Sequence, residues 1–85
     1  MQLKLRYFAS LREALGPGET LEVDGTACAT AGALRDHLIA RGGRHAEALA
    51  RGRALRCAVN QTLAEDDTPL APGAEVAFFP PVTGG

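Results

Sequence analysis

The sequence has no tryptophan, one tyrosine, three phenylalanines, one methionine, two cysteines and two histidines in 85 residues. Its net charge is −1 and its pI is near 6.1, so no basic field exists to gather nucleic acid. Arg6, Arg12, Arg35, Arg41, Arg44, Arg51, Arg53 and Arg56 are spread along the chain without interleaved aromatics, which argues against RNA reading. Cys28 and Cys57 lack CxxC spacing and have apolar neighbours, so they read as buried thiols rather than a redox pair or a disulfide. His37 and His45 join no cluster with metal-ligand spacing and read as solvated helix residues; no metal site is expected. No apolar run approaches the ~20 residues of a membrane span, and no signal-peptide pattern opens the chain. The expected compartment is the cytoplasm, away from membranes. A phosphate loop, a GxSxG turn and a nucleophile–base pair are all missing. Glu65, Asp66 and Asp67 are consecutive, point in different directions and read as a solvated loop. The chain therefore shows no active site of its own.

What is present is a globular composition, 46% hydrophobic and 22% charged. A single domain of this size buries roughly 60–65% of the surface its unfolded chain exposes. From Met1 to Ala9 the chain alternates, with Leu3, Leu5 and Tyr7 on one face and Phe8 on the other, which predicts a half-buried strand. Ser10 to Leu15 has room for one or two helical turns before Gly16-Pro17-Gly18 breaks the chain. Glu19 to Val23 follows as a second strand with Leu21 and Val23 inward. Thr30 can cap a helix with apolar positions Ala31, Leu34, Leu38 and Ile39; Arg35, Asp36 and Arg41 fall to its wet side. Gly42-Gly43 stops it, and a weaker helical stretch spans residues 44–50. Residues 54–59 alternate with Leu55, Cys57 and Val59 inward, Asn60-Gln61 turns the chain, and Ala71-Pro72-Gly73 makes a further turn.

The last strand is Glu75-Val76-Ala77-Phe78-Phe79, the most hydrophobic segment available, so it belongs inside the sheet. Alternation sends Val76 and Phe78 to the helix side and Phe79 to the other. Phe8 and Phe79 then form a docking patch on the open face, unless one of them curls back into a small satellite core. The order of elements predicts an α+β fold, a ubiquitin-like β-grasp roll with a mixed sheet of four to five strands and one main helix across it. A ferredoxin-like arrangement would need a second substantial helix late in the chain, where the sequence is short and turn-rich. The expected division is a domain over residues 1–81 and a flexible tail over residues 82–85.

After the last strand, Pro80-Pro81 ends sheet pairing and launches Val82-Thr83-Gly84-Gly85 in an extended course. Glycine has no Cβ, so the carbonyl of Gly85 is unshielded and the backbone around Gly84 fits a narrow channel. Such an end suits chemistry on the α-carboxylate itself.

The ending from Phe78 to Gly85 resembles the C-terminus of the MoaD family, the small sulfur-carrying subunits of molybdopterin synthase. Tyr7-Phe8-Ala9, Leu11-Arg12-Glu13, Ala33-Leu34-Arg35 and Ala58-Val59-Asn60-Gln61 carry the resemblance through the rest of the chain. It implies that Gly85 is adenylated by a MoeB-like activating enzyme using ATP and Mg²⁺, with no cofactor bound by the chain itself. Sulfur from a persulfide donor would then displace AMP and leave a thiocarboxylate. The terminus would be inserted into a MoaE-like large subunit, in a heterotetramer of two small and two large subunits, to deliver sulfur to cyclic pyranopterin monophosphate. Acid–base groups for that transfer would belong to the large subunit. Phe8, Phe79, Pro80, Pro81, Val82 and Thr83 would bind the partner, and Gly84 and Gly85 would carry the chemistry. A sulfur carrier of the ThiS type, serving thiamine thiazole synthesis, and a ubiquitin-like protein modifier share such a terminus and remain alternatives.

Overall fold

The computed structural model describes residues 1–81; Val82, Thr83, Gly84 and Gly85 lie outside the described residues. Alternation in the opening segment becomes β1 (Gln2–Tyr7), whose burial alternates residue by residue with Leu3, Leu5 and Tyr7 sealed inside. A short helix α1 (Ser10–Leu15) follows, then β2 (Gly18–Glu22), which returns antiparallel to β1. Gly18 is irreplaceable at this corner. Its φ is +150°, and a Cβ there would stand 2.1 Å from the Leu5 carbonyl oxygen.

The main helix α2 (Ala31–Ile39) is capped as expected, the Thr30 hydroxyl accepting from the Ala33 amide at 3.2 Å. It buries Leu34 and Leu38 against the sheet. A short α3 (Gly43–Ala48) leads to β3 (Arg56–Val59) and β4 (Thr62–Ala64), joined by Asn60 and Gln61, both at positive φ as a two-residue hairpin turn requires. The last strand, β5 (Glu75–Phe79), enters the middle of the sheet. Strand order is β2-β1-β5-β3-β4, with β1 and β5 parallel and the other pairs antiparallel. This is the ubiquitin-like β-grasp, with five strands and α2 as its principal helix.

Two expectations need correction. Arg35 does not reach the wet side of α2; it is 9% exposed and turned under α3. Its guanidinium donates to the carbonyls of Leu49 at 2.7 Å, Ala50 at 2.6 Å and Arg53 at 3.2 Å. Helical periodicity puts position 35 beside Leu34 and Leu38, and only a fork of fixed donors makes that place tolerable for a charge. His45 is half-buried rather than solvated, its Nε2 3.7 Å from a Glu19 carboxylate oxygen. His37 is exposed, as expected.

A second arginine, Arg51, ties the same region from outside. It donates to Asp36 at 2.8 Å, to Asp66 at 2.9 Å and to the Gly32 carbonyl at 2.9 Å. Gly32 sits where a Cβ would come within 2.9 Å of Asp66, so its lack of a side chain lets the 65–70 loop close over the start of α2. The Gly32 amide donates to the Asp66 carbonyl at 2.8 Å across that closure.

Arg35→Ala is expected to lower stability by ~2–3 kcal/mol, because three carbonyls lose a charged donor together. Arg35→Lys recovers only part of it, and denaturant melts of both variants measure the difference. Tyr7 supplies a second test. Its hydroxyl is buried with no partner among the described residues, and burial, with Glu19 nearby, pushes its pKa up to about 12. Burial, with Asp66 nearby, likewise pushes the Cys57 thiol to about 11. In both cases the folded pKa lies above the ordinary value, 10.0 for Tyr7 and 9.0 for Cys57, so folding favours the protonated form. Stability is then level below about pH 9 and falls from there toward pH 12. Tyr7→Phe should remove the upper part of that loss and be neutral or stabilising by up to ~1 kcal/mol at pH 7, as read by melts across pH.

Candidate functional site

Because β1 and β5 are parallel neighbours, both run toward the same edge of the sheet, where Tyr7 pairs with Phe78. Just beyond that edge the Phe8 amide donates to the Phe78 carbonyl at 3.2 Å. Tyr7 and Phe78 point inward, 1% and 2% exposed, with ring centroids 6.5 Å apart. The next residue on each strand points the other way. Phe8 is 42% exposed, Phe79 is half-buried, and the two line one shallow groove with Arg6, Ala58, Gln61 and Ala77. Both rings lie on the open face, and neither is folded back into the core.

Local geometry holds Phe8 there. Ala9 has φ 53° and ψ −130°, a conformation costly to any residue with a Cβ, and it turns the chain from β1 into α1 in a single step. The Phe8 carbonyl accepts from the Leu11 amide at 3.1 Å, fixing the turn from the far side. On the near side the Arg6 guanidinium stacks over the Phe8 ring, 5.9 Å from its centroid, and reaches Glu75 at 3.4 Å.

Register shows the rest of the face. Ala77 is opposite Ala58, and Ala58 is opposite Leu63, which is 66% exposed. Small side chains in the middle and larger ones at the ends make a concave apolar stripe across three strands. Sequence reading missed Leu63; the signal was the two-residue turn at Asn60-Gln61, which fixes which β4 residue faces Ala58.

Pro80 and Pro81, both half-buried, follow directly from Phe79 at this edge. Val82, Thr83, Gly84 and Gly85, named from sequence as the remaining site residues, fall outside the described residues. Cys28 is fully buried and Cys57 half-buried, and neither borders the stripe. Among the described residues no group of three or more His, Cys, Asp or Glu could hold a metal ion. No helix is long and apolar enough to cross a membrane. What the geometry offers is an open apolar groove beside the end of β5 and Pro80-Pro81.

The model of the ThiS family matches residues 5–85. The molybdopterin synthase sulfur carrier subunit of Escherichia coli (strain K12) is 51% identical over 83 residues, 98% of this chain and 99% of that protein. Its counterpart in Haemophilus influenzae is 45% identical over 84 residues, with the same coverage. Among solved structures, SAMP1 from Haloferax volcanii superposes with a TM-score of 0.75 at 28% identity, covering 100% of both chains. A chain from the Helicobacter pylori complex of molybdopterin-converting factor subunits 1 and 2 shares the fold, with a TM-score of 0.68 at 23% identity and full coverage of both chains.

The two adjacent phenylalanines should separate cleanly in energy. Phe78→Ala empties a sealed core position and is expected to cost ~3–5 kcal/mol, whereas Phe79→Ala, on the open face, costs under ~1.5 kcal/mol. Denaturant melts of the two variants check the contrast, and equal losses would mean the strand faces the other way.

Proposed function

The chain belongs to the ThiS family, and on that premise we propose that it is the sulfur carrier subunit of a molybdopterin synthase, the name borne by its relatives at 51% and 45% identity. The observation that carries the reading is the exit of β5. The central strand of the sheet runs without a loop into Pro80-Pro81, beside the exposed Phe8 and the half-buried Phe79. The body docks by its open face while the residues after Pro81 project toward a partner's active site.

Gly85 is the reactive residue in this proposal. A carboxylate is a poor electrophile, so an activating enzyme of the MoeB type first joins it to the α-phosphorus of ATP, with Mg²⁺ at that enzyme and pyrophosphate released. A persulfide sulfur then attacks the acyl carbon and AMP leaves. Cleavage of the sulfur–sulfur bond by a second thiol leaves the thiocarboxylate. Gly84 and Gly85 admit each of these reagents because no side chain flanks the carbonyl. The two prolines stiffen the stem, so less entropy is lost when Val82, Thr83 and the glycines enter a channel. A large subunit of the MoaE type, in a heterotetramer of two small and two large subunits, supplies the acid and base groups and receives the sulfur on cyclic pyranopterin monophosphate.

A thiazole-forming partner of the kind served by ThiS, or a protein lysine as final acceptor, would begin with the same activation and differ only in what the acyl carbon meets next. The names of the two curated relatives favour the first reading. Co-purification of the full chain with a MoaE-like subunit rather than a thiazole synthase separates them.

Deleting Gly85, or Gly84 and Gly85 together, is expected to abolish thiocarboxylate formation and leave the unfolding transition unchanged. Mass spectrometry after incubation with the activating enzyme and sulfur donor reads the first, and a thermal melt of the same sample reads the second. Cys28→Ala/Cys57→Ala should still acquire sulfur, since the cargo rides on a carboxylate. A folded double variant without sulfur, or a truncated chain that gains it, would overturn the mechanism.

A further inference from the structure

We propose that the open face of the sheet selects a partner whose apolar socket is rimmed with carboxylates, and that Lys4 and Arg56 make this selection. The inference rests on the preceding reading, in which this face docks the large subunit, and adds what that subunit must present.

The stripe Phe8–Phe79–Ala77–Ala58–Leu63 crosses the face, and the strand registers place charged residues around it. Arg6 is opposite Ala77, Lys4 is opposite Glu75 and Arg56 is opposite Phe79. Two carboxylates of this face are already engaged. Glu75 is held by Arg6 at 3.4 Å, and Glu22, at the β2 corner, lies 3.5 Å from the Met1 amino group. Lys4 and Arg56 are exposed and have no ion pair among the described residues. The docking face thus carries two cations outside any ion pair in a chain whose net charge is −1. At its β4 margin one carboxylate, Glu65, is likewise outside any ion pair among the described residues.

Covering the stripe strips water from these cations, and that loss is offset only if the incoming surface supplies anions. Arginine at position 56 has a planar fork suited to one carboxylate held by two hydrogen bonds, beside Phe79 where the contact is driest. Lysine at position 4, on β1 opposite Glu75, is a mobile point charge to one side of the stripe. Four residues along the strand and two strand spacings put the two backbones about 16 Å apart. That exceeds the screening length of about 8 Å at physiological salt, so each cation reads a separate carboxylate and their effects combine independently. Attraction of this kind acts mainly on the rate of encounter, which suits a carrier that must find one partner after another and leave each of them.

The test measures association of the full-length chain with the large subunit of molybdopterin synthase at low and high salt. Wild-type association should slow as salt rises. Lys4→Glu and Arg56→Glu should each slow low-salt association by ~5–10-fold, the double variant multiplying the two and losing the salt dependence, with dissociation little changed. Thermal melts confirm that the exposed substitutions leave the fold intact. Lys4 is the only lysine in the sequence, so an amine-reactive ester followed by peptide mapping reads its burial directly, and Lys4 should be protected in the complex. A double variant that associates like wild type with the same salt dependence, or a Lys4 labelled equally fast free and bound, overturns the proposal. Were Phe79→Ala still to weaken binding in that case, the docking face would stand without its charged rim. Wild-type binding by Phe79→Ala, Leu63→Asp and the double variant alike would remove the docking face as well.

Discussion

Parallel pairing of β1 with β5 is the contact on which the rest of the molecule depends. It joins the two ends of the sequence at the centre of the sheet, Lys4 beside Glu75 and Tyr7 beside Phe78. Parallel neighbours cannot be linked by a tight turn, so everything between them must form one long crossover. Here that crossover holds α2 and α3 over one face and the β3–β4 hairpin along the edge. Because the strands run the same way, they also end together, which is why Phe8 and Phe79 emerge side by side. An antiparallel pairing would have put them at opposite ends of the sheet.

Burying one face and leaving the other open divides the molecule into two roles. The inner face is closed by α2, and the arginines finish what apolar packing cannot. Arg35 collects the carbonyls at the end of α3, and Arg51 clamps the 65–70 loop to α2. Most exposed ion pairs contribute little to stability. Arg35 differs because it is itself buried and its fork reaches three backbone carbonyls, those of Leu49, Ala50 and Arg53. With the helices held on the inner side, the other face of the sheet is left open.

Strand periodicity made most of this fold legible. Leu3, Leu5 and Tyr7 alternate cleanly, Thr30 is a cap placed before an apolar helix face, and Gly73 after Pro72 marks a turn, with φ of +82° in the structure. Phe78 and Phe79 were separable because a strand reverses face at each residue. Arg35 was not legible. Its charge argued for solvent and put it on the wet side, although position 35 lies one turn from Ala31 and beside Leu34 and Leu38. Which prevails depends on carbonyls 14 to 18 residues away, which no local pattern contains. His45 was missed for a similar reason, since its neighbour Glu19 belongs to β2. Of the site, the aromatic pair was visible in the sequence, while Leu63 and the rim of Lys4 and Arg56 required the register.

If Gly85 is activated as proposed, the chain must also avoid reacting with itself. An acyl adenylate is attacked by thiolates and free amines, and this molecule offers few of either. Cys28 is sealed in the core, and burial holds the Cys57 thiol near 11, so both remain protonated thiols at neutral pH. Eight of its nine basic side chains are arginines, which stay protonated and do not acylate. The one lysine stands on the open face midway along β1, four residues from Phe8, and under the proposal a docked partner would cover it. The same burial that stabilises the fold therefore keeps its thiols from the cargo. With so few competing nucleophiles, an activated Gly85 would meet its partners before it met a side chain of its own protein.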